Sequence, residues 1–175
     1  IMITRYFIRA DYTITDIIID RKSSLQSDLV RGSNNSELSF ATEAEALEHM
    51  ATLPRTKQNG NYCRDYTYGV EAVEYGFCNM HSWSDIYPFE IIRVVSDKTI
   101  EVREMAADLD HDFKPKIIPG GFNGHCVNQD KQTYNYRSCP DGQVLRVRLG
   151  KKGWKSQMGR HALSTQPRKF FDYNF

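Results

Sequence analysis

From Phe89 onward the chain is cut into short runs of β-branched, aromatic and alternating residues separated by turn residues, and this punctuation constrains the fold more than any other feature. Residues 89–95 and 99–105 read as strands, and Ser96, Asp97 and Lys98 between them make a hairpin signal. Further short strands are expected at 132–137, 143–149, 154–157 and 169–173, with a tight turn over 150–153. A series of this kind closes into a small β-barrel or rolls into an antiparallel sheet. The stretch 108–130 has little periodicity and reads as a long loop.

The N-terminal part is patterned differently. Residues 3–10 and 12–20 are rich in Ile, Tyr, Phe and Thr and read as extended, although Ile17, Ile18 and Ile19 are equally compatible with the start of a helix towards Leu29. Gly32, Ser33, Asn34, Asn35 and Ser36 form a polar loop. Thr42 is placed to cap a helix, Glu45 completes a capping box, and Ala44, Leu47, Met50 and Ala51 supply an apolar stripe that stops at Leu53, before Pro54. Residues 66–75 then return as a strand. The expected architecture is therefore α+β. A strand/helix/strand unit over 1–76, arranged by analogy like half a ferredoxin-like sandwich, precedes a mainly β subdomain over 77–175 with a small barrel or rolled antiparallel sheet.

Composition removes several classes. A chain of 175 residues with 40% apolar and 12% aromatic content can bury a core and is not disordered. The four cysteines, Cys63, Cys78, Cys126 and Cys139, are too few to staple a chain of this length and read as free thiols of a reducing cytoplasm. No apolar run approaches the roughly 20 residues of a membrane helix, and the alternating N-terminus is unlike a signal peptide. Met2 is the expected natural start.

Candidate chemistry is fragmentary. Cys78 and His81 have C-x-x-H spacing, and His125, Cys126 and Cys139 could complete a zinc site, but a true zinc ribbon carries a second tight pair. Asp108, Asp110 and Asp112 alternate as at the start of a calcium loop, yet Phe113 stands where such a loop needs glycine. Gly120, Gly121 and Gly124 make a flexible loop without a phosphate-binding motif. No cofactor motif is present, and these side chains are expected as buried, solvated or incidental.

Charge distribution is the strongest functional signal. Residues 137–169 carry nine Lys or Arg against one Asp, a net +8, whereas residues 1–136 carry 14 basic and 20 acidic residues, a net −6. Arg146, Arg148, Lys151, Lys152, Lys155, Arg160, Arg168 and Lys169, together with Trp154, form a candidate surface for nucleic acid or an acidic partner. Lys151, Lys152 and Lys155 are expected at a hairpin tip. The same pattern is compatible with a solvated strand face over a core of Val144, Leu145, Val147 and Leu149.

The run Trp83, Ser84, Asp85, Ile86, Tyr87, Pro88, the segment EIIRVVSDKTIEVREMAA, the loop IPGGFNGHC and the ending FFDYNF together resemble uncharacterised proteins carried by phages, plasmids and other mobile elements of gut Firmicutes. The resemblance spans most of the chain and transfers no site residue. It implies a non-enzymatic inhibitor of host defence, of the anti-CRISPR type that binds a Cas9-type nuclease or nucleoprotein complex in the bacterial cytoplasm. A plain DNA- or RNA-binding module is the alternative that the charge pattern supports, and a metal-dependent enzyme is a third.

Overall fold

The computed structural model describes residues 1–32, 37–120 and 124–174. The expected polar loop at 33–36, Gly121 of the glycine loop and the final Phe175 lie outside the described residues. The chain divides into two compact units, one formed by residues 4–74 and the other by 1–3 with 75–175.

In the first unit the elements are β1 (Ile3–Asp16), β2 (Arg21–Lys22), β3 (Gln26–Leu29), β4 (Ser39–Phe40), α1 (Glu43–Ala51), β5 (Thr56–Asn59) and β6 (Tyr62–Tyr75). They form one sheet in the order β2-β1-β6-β5, with β3 and β4 also pairing along β1. The α1 start follows from local chemistry. The Thr42 hydroxyl accepts from the Glu45 amide, and the Glu45 carboxylate accepts from the Thr42 amide in return. The helix face differs from the expected stripe: Ala46 is fully buried, whereas Leu47 is 45% exposed. The helix ends at Ala51, with Thr52 as its C-cap.

The second unit contains β7 (Phe77–His81), β8 (Ile86–Tyr87), β9 (Phe89–Ser96), β10 (Thr99–Leu109), β11 (Ile117–Ile118), β12 (His125–Cys126), β13 (Tyr134–Ser138), β14 (Val144–Gly150), β15 (Gly153–Ser156) and β16 (Gly159–Ser164). Six of them close on themselves. β9 pairs with β10, β10 with β14, β14 with β15, β15 with β16, β16 with β7, and β7 returns to β9, every pair antiparallel. The far half of β10 carries β13 instead.

Alternation decides what fills this barrel. Ile100 and Val102 of β10, Leu145 and Val147 of β14, Trp154 of β15, and Cys78 and Met80 of β7 all turn inward to meet Phe89 and Ile91. His161 of β16 also points inward. Its ring lies edge-on to Phe89, with one nitrogen 2.8 Å from the Ser156 hydroxyl and the other 3.4 Å from the Cys78 carbonyl. A buried imidazole is tolerated here because both its nitrogens are placed against polar groups.

The α+β expectation is corrected by these elements. Of the described residues 57% are in strands and 7% are helical, with a closed six-stranded barrel and other sheets. Among the described residues the single α-helix, nine residues long, packs beside short strands of a sheet and makes no layer of its own, so the half-ferredoxin arrangement is absent. Two barrel strands, β7 and β16, stand where no strand was expected. Residues 169–173, expected as a strand, contribute only one bridge, Phe170 to Ile86. The long loop 108–130 contains the β11–β12 pair, and Phe113 within it is buried. Among the described residues no helix is long and apolar enough to cross a membrane.

Candidate nucleic-acid interface

The inward set of β14 leaves Arg146 and Arg148 on the outer face of the barrel. Strand register then decides what stands beside each of them. Arg148 is directly opposite Lys155 of β15, Lys155 is opposite Arg160 of β16, and Arg160 is opposite His81 of β7. Directly opposed residues share a face and neighbouring strands lie about 4.8 Å apart, so these four groups make one row roughly 14 Å long across four strands. All four are exposed.

Like charges placed directly opposite each other destabilise a sheet. Other arginines of this unit meet carboxylates: Arg146 bonds Glu101 at 2.6 Å, Arg93 lies 3.7 Å from the same residue, and Arg103 bonds Glu90 at 2.8 Å. Among the described residues, Arg148, Lys155 and Arg160 form no ion pair. The row therefore holds uncompensated charge in an arrangement that costs the fold stability.

His81 is shifted chiefly by desolvation, and only Arg160 of the row adds to it. Partial burial, then the charges of Arg168 and Arg160, hold its imidazole below the ordinary value. Arg168 is brought to this face by Asn79, a buried side chain on the outer side of β7. Asn79 accepts from the Arg168 amide at 3.1 Å and donates to the Gln166 carbonyl at 3.2 Å. At the other end of the row, Lys151 and Lys152 occupy the two-residue turn between Gly150 and Gly153. Gly153 has φ +92°, a value that favours glycine. Arg148, Lys151, Lys152 and Lys155 line an open depression of about 340 Å³ there.

Three expected surface residues serve the fold instead. Trp154 is 8% exposed and lies in the barrel core, because strand alternation sends it to the side opposite Lys155. Arg146 is engaged by Glu101, and the Lys169 ammonium sits 3.6 Å over the Tyr87 ring. Lys155 belongs to a strand face and not to the hairpin tip. Conversely, two residues outside the expected interface join this region: His81, which ends the row, and Trp83, which is 94% exposed in the turn after β7. No turn was expected at residues 82–85, and the nearness of Trp83 to the row follows only from the β7–β8 pairing.

The metal candidates are dispersed. Residues three apart on an extended strand face opposite sides, so Cys78 points into the barrel while His81 points out. Burial pushes the Cys78 thiol up to about 12, which keeps it protonated and a poor ligand. Cys126 is buried, its amide donating to the Asn174 side chain and its thiol 3.4 Å from the side-chain Oδ1 of Asn128, while the adjacent His125 is exposed. Cys139 lies in the turn between β13 and β14, where its carbonyl accepts from the Gly142 amide. Asp108 pairs with Arg137, and Asp110 accepts from the Asp112 amide. Among the described residues no three His, Cys, Asp or Glu side chains are grouped to hold a metal ion. All four cysteines are free.

No family model, curated protein or solved structure matches the chain. Fold and face together define a mainly β chain with a closed barrel that carries an uncompensated basic row.

Proposed function

We propose that this protein works by binding, not by catalysis, and that its partner is nucleic acid, either free or held in a nucleoprotein. The observation that supports this reading is the row Arg148, Lys155 and Arg160, three cations directly opposed on adjacent strands without an ion-pair partner among the described residues. A fold carries such a cost when the charges are used on an external anion, and phosphates are the anions a linear row of cations fits best. Lys151, Lys152 and Arg168 extend the same face, which gives six cations for backbone contacts.

The resemblance to mobile-element proteins supports a Cas9-type nuclease complex of the bacterial cytoplasm as that nucleoprotein, which the protein would inhibit by occupying a nucleic-acid path. A pull-down of purified nuclease with and without guide RNA and target DNA tests this. The reading expects capture that depends on nucleic acid and is lost in the combined variant Arg148→Gln, Lys155→Gln, Arg160→Gln. Capture of bare nuclease that is indifferent to this variant would overturn it.

A further inference from the structure

The turn after β7 holds an aromatic ring that nothing in the fold requires. Trp83 is 94% exposed at the tip of the β7–β8 hairpin, between Ser82 and Ser84. Its base is firmly built. His81 pairs with Ile86, and the Ser82 amide donates to the Asp85 carbonyl at 3.0 Å. The Asp85 carboxylate accepts from the Tyr87 hydroxyl at 3.1 Å and from the Asp172 amide at 2.9 Å. Ile86 exchanges two backbone bonds with Phe170, each 3.0 Å. The ring is thus presented from a clamped support while remaining in water, an arrangement that suits an aromatic anchor whose surface is to be covered by a partner.

Its place relative to the basic row decides the partner. Trp83 follows His81, the last member of the row, by two residues, a chain distance of at most about 7 Å. A polyanion that lies along Arg148, Lys155 and Arg160 and continues past His81 reaches the turn that carries the indole. In a duplex the flat faces of the bases are stacked on each other and unavailable. In a single strand they are open, and base–aromatic stacking tolerates any sequence.

We propose that this face binds single-stranded nucleic acid, with Trp83 stacked on a base next to phosphates held by the row. The inference rests on the polyanion reading of that row and adds to it the strandedness of the ligand and the stacking residue.

The test measures affinity for an oligothymidylate of about 16 nucleotides and for a duplex of similar length, at about 50 and about 200 mM salt. The parent is compared with Trp83→Ala, Trp83→Phe and the double variant Lys155→Glu, Arg160→Glu. Only Trp83 and the buried Trp154 fluoresce as tryptophans, so binding of the single strand should quench the exposed emitter. Trp83→Ala should lose about 5- to 100-fold in single-strand affinity while keeping the parent's salt dependence and its duplex affinity. Trp83→Phe should recover most of the loss, and the charge-reversal variant should lose both ligands. If the parent binds both ligands and Trp83→Ala changes neither, the stacking inference fails while the polyanion reading stands. If the parent binds neither, or binds polyglutamate as tightly as the oligonucleotide, the polyanion reading fails and the inference with it.

Discussion

Lys155 stands between two cations, so replacing it with glutamate converts two repulsive cross-strand pairs into two attractive ones. Arg148 is opposite on one side and Arg160 on the other, and all three side chains are exposed. Exposed opposed pairs are worth a few tenths of a kcal/mol each, so reversing the sign of both should stabilise the protein by about 1 kcal/mol at low salt. For a chain of this length that is a rise in Tm of about 3 °C. Lys and Glu have similarly poor strand propensity, which keeps the backbone contribution small. Thermal unfolding followed by circular dichroism at about 20 mM and about 1 M salt should show the gain at low salt and most of it gone at high salt, where the screening length is about 3 Å. The same variant should bind polyanions worse. Gained stability with lost binding is the signature of charge kept for a partner. A Lys155→Glu protein less stable than the parent, or one whose stability change ignores salt, would refute the row as described.

Removing the cap hydroxyl in Thr42→Ala should cost about 1 kcal/mol in denaturant unfolding, because the Glu45 amide then loses its acceptor. Leu47→Ala, at an exposed position of the same helix, should stay within about 0.5 kcal/mol, and a larger loss would mean that the buried face is wrongly assigned. His161 gives a pH signature. Burial, with some help from His81 and against the Cys78 carbonyl, holds it below the ordinary imidazole value, so its contribution to stability is complete above about pH 6.5 and is lost as pH falls through the lower folded value. Denaturant unfolding between about pH 8 and about pH 5 should show this loss, and His161→Gln should reduce it, leaving the part that His81, also held below the ordinary value, contributes. Glu90 adds no slope in that window: burial opposes its ionisation, but bonds from Ser138 and Arg103 and the Arg103 charge outweigh it, so its own loss falls at more acid pH.

Legibility in the sequence followed local chemistry. The capping box at Thr42, the hairpin at residues 96–98 and the Gly150–Gly153 turn depend on neighbours in the chain, and each has its expected form. β7 was hidden because its alternation, Cys78 and Met80 inward against Asn79 and His81 outward, spans only four residues and includes Asn, a residue depleted in strands. What no window of residues reveals is the burial of the outward-facing Asn79, because the segment it ties down lies some 90 residues away in sequence. β16 was hidden because its inward residue is a histidine. The interface divides in the same way. Alternation alone places Trp154 opposite Lys155, so the burial of Trp154 was legible, whereas the row from Arg148 to His81 exists only once four strands are in register.

Binding of nucleic-acid phosphates by this row is read from the salt dependence of affinity. Affinity for single-stranded DNA measured across salt should give a linear plot of log K against log salt, falling by about 0.7 for each phosphate contacted. The parent's slope should correspond to at least three phosphates, and the slope of the variant Arg148→Gln, Lys155→Gln, Arg160→Gln should be shallower by about those three contacts. A parent that does not bind, or a variant that keeps the parent's slope and affinity, would contradict phosphate binding by the row.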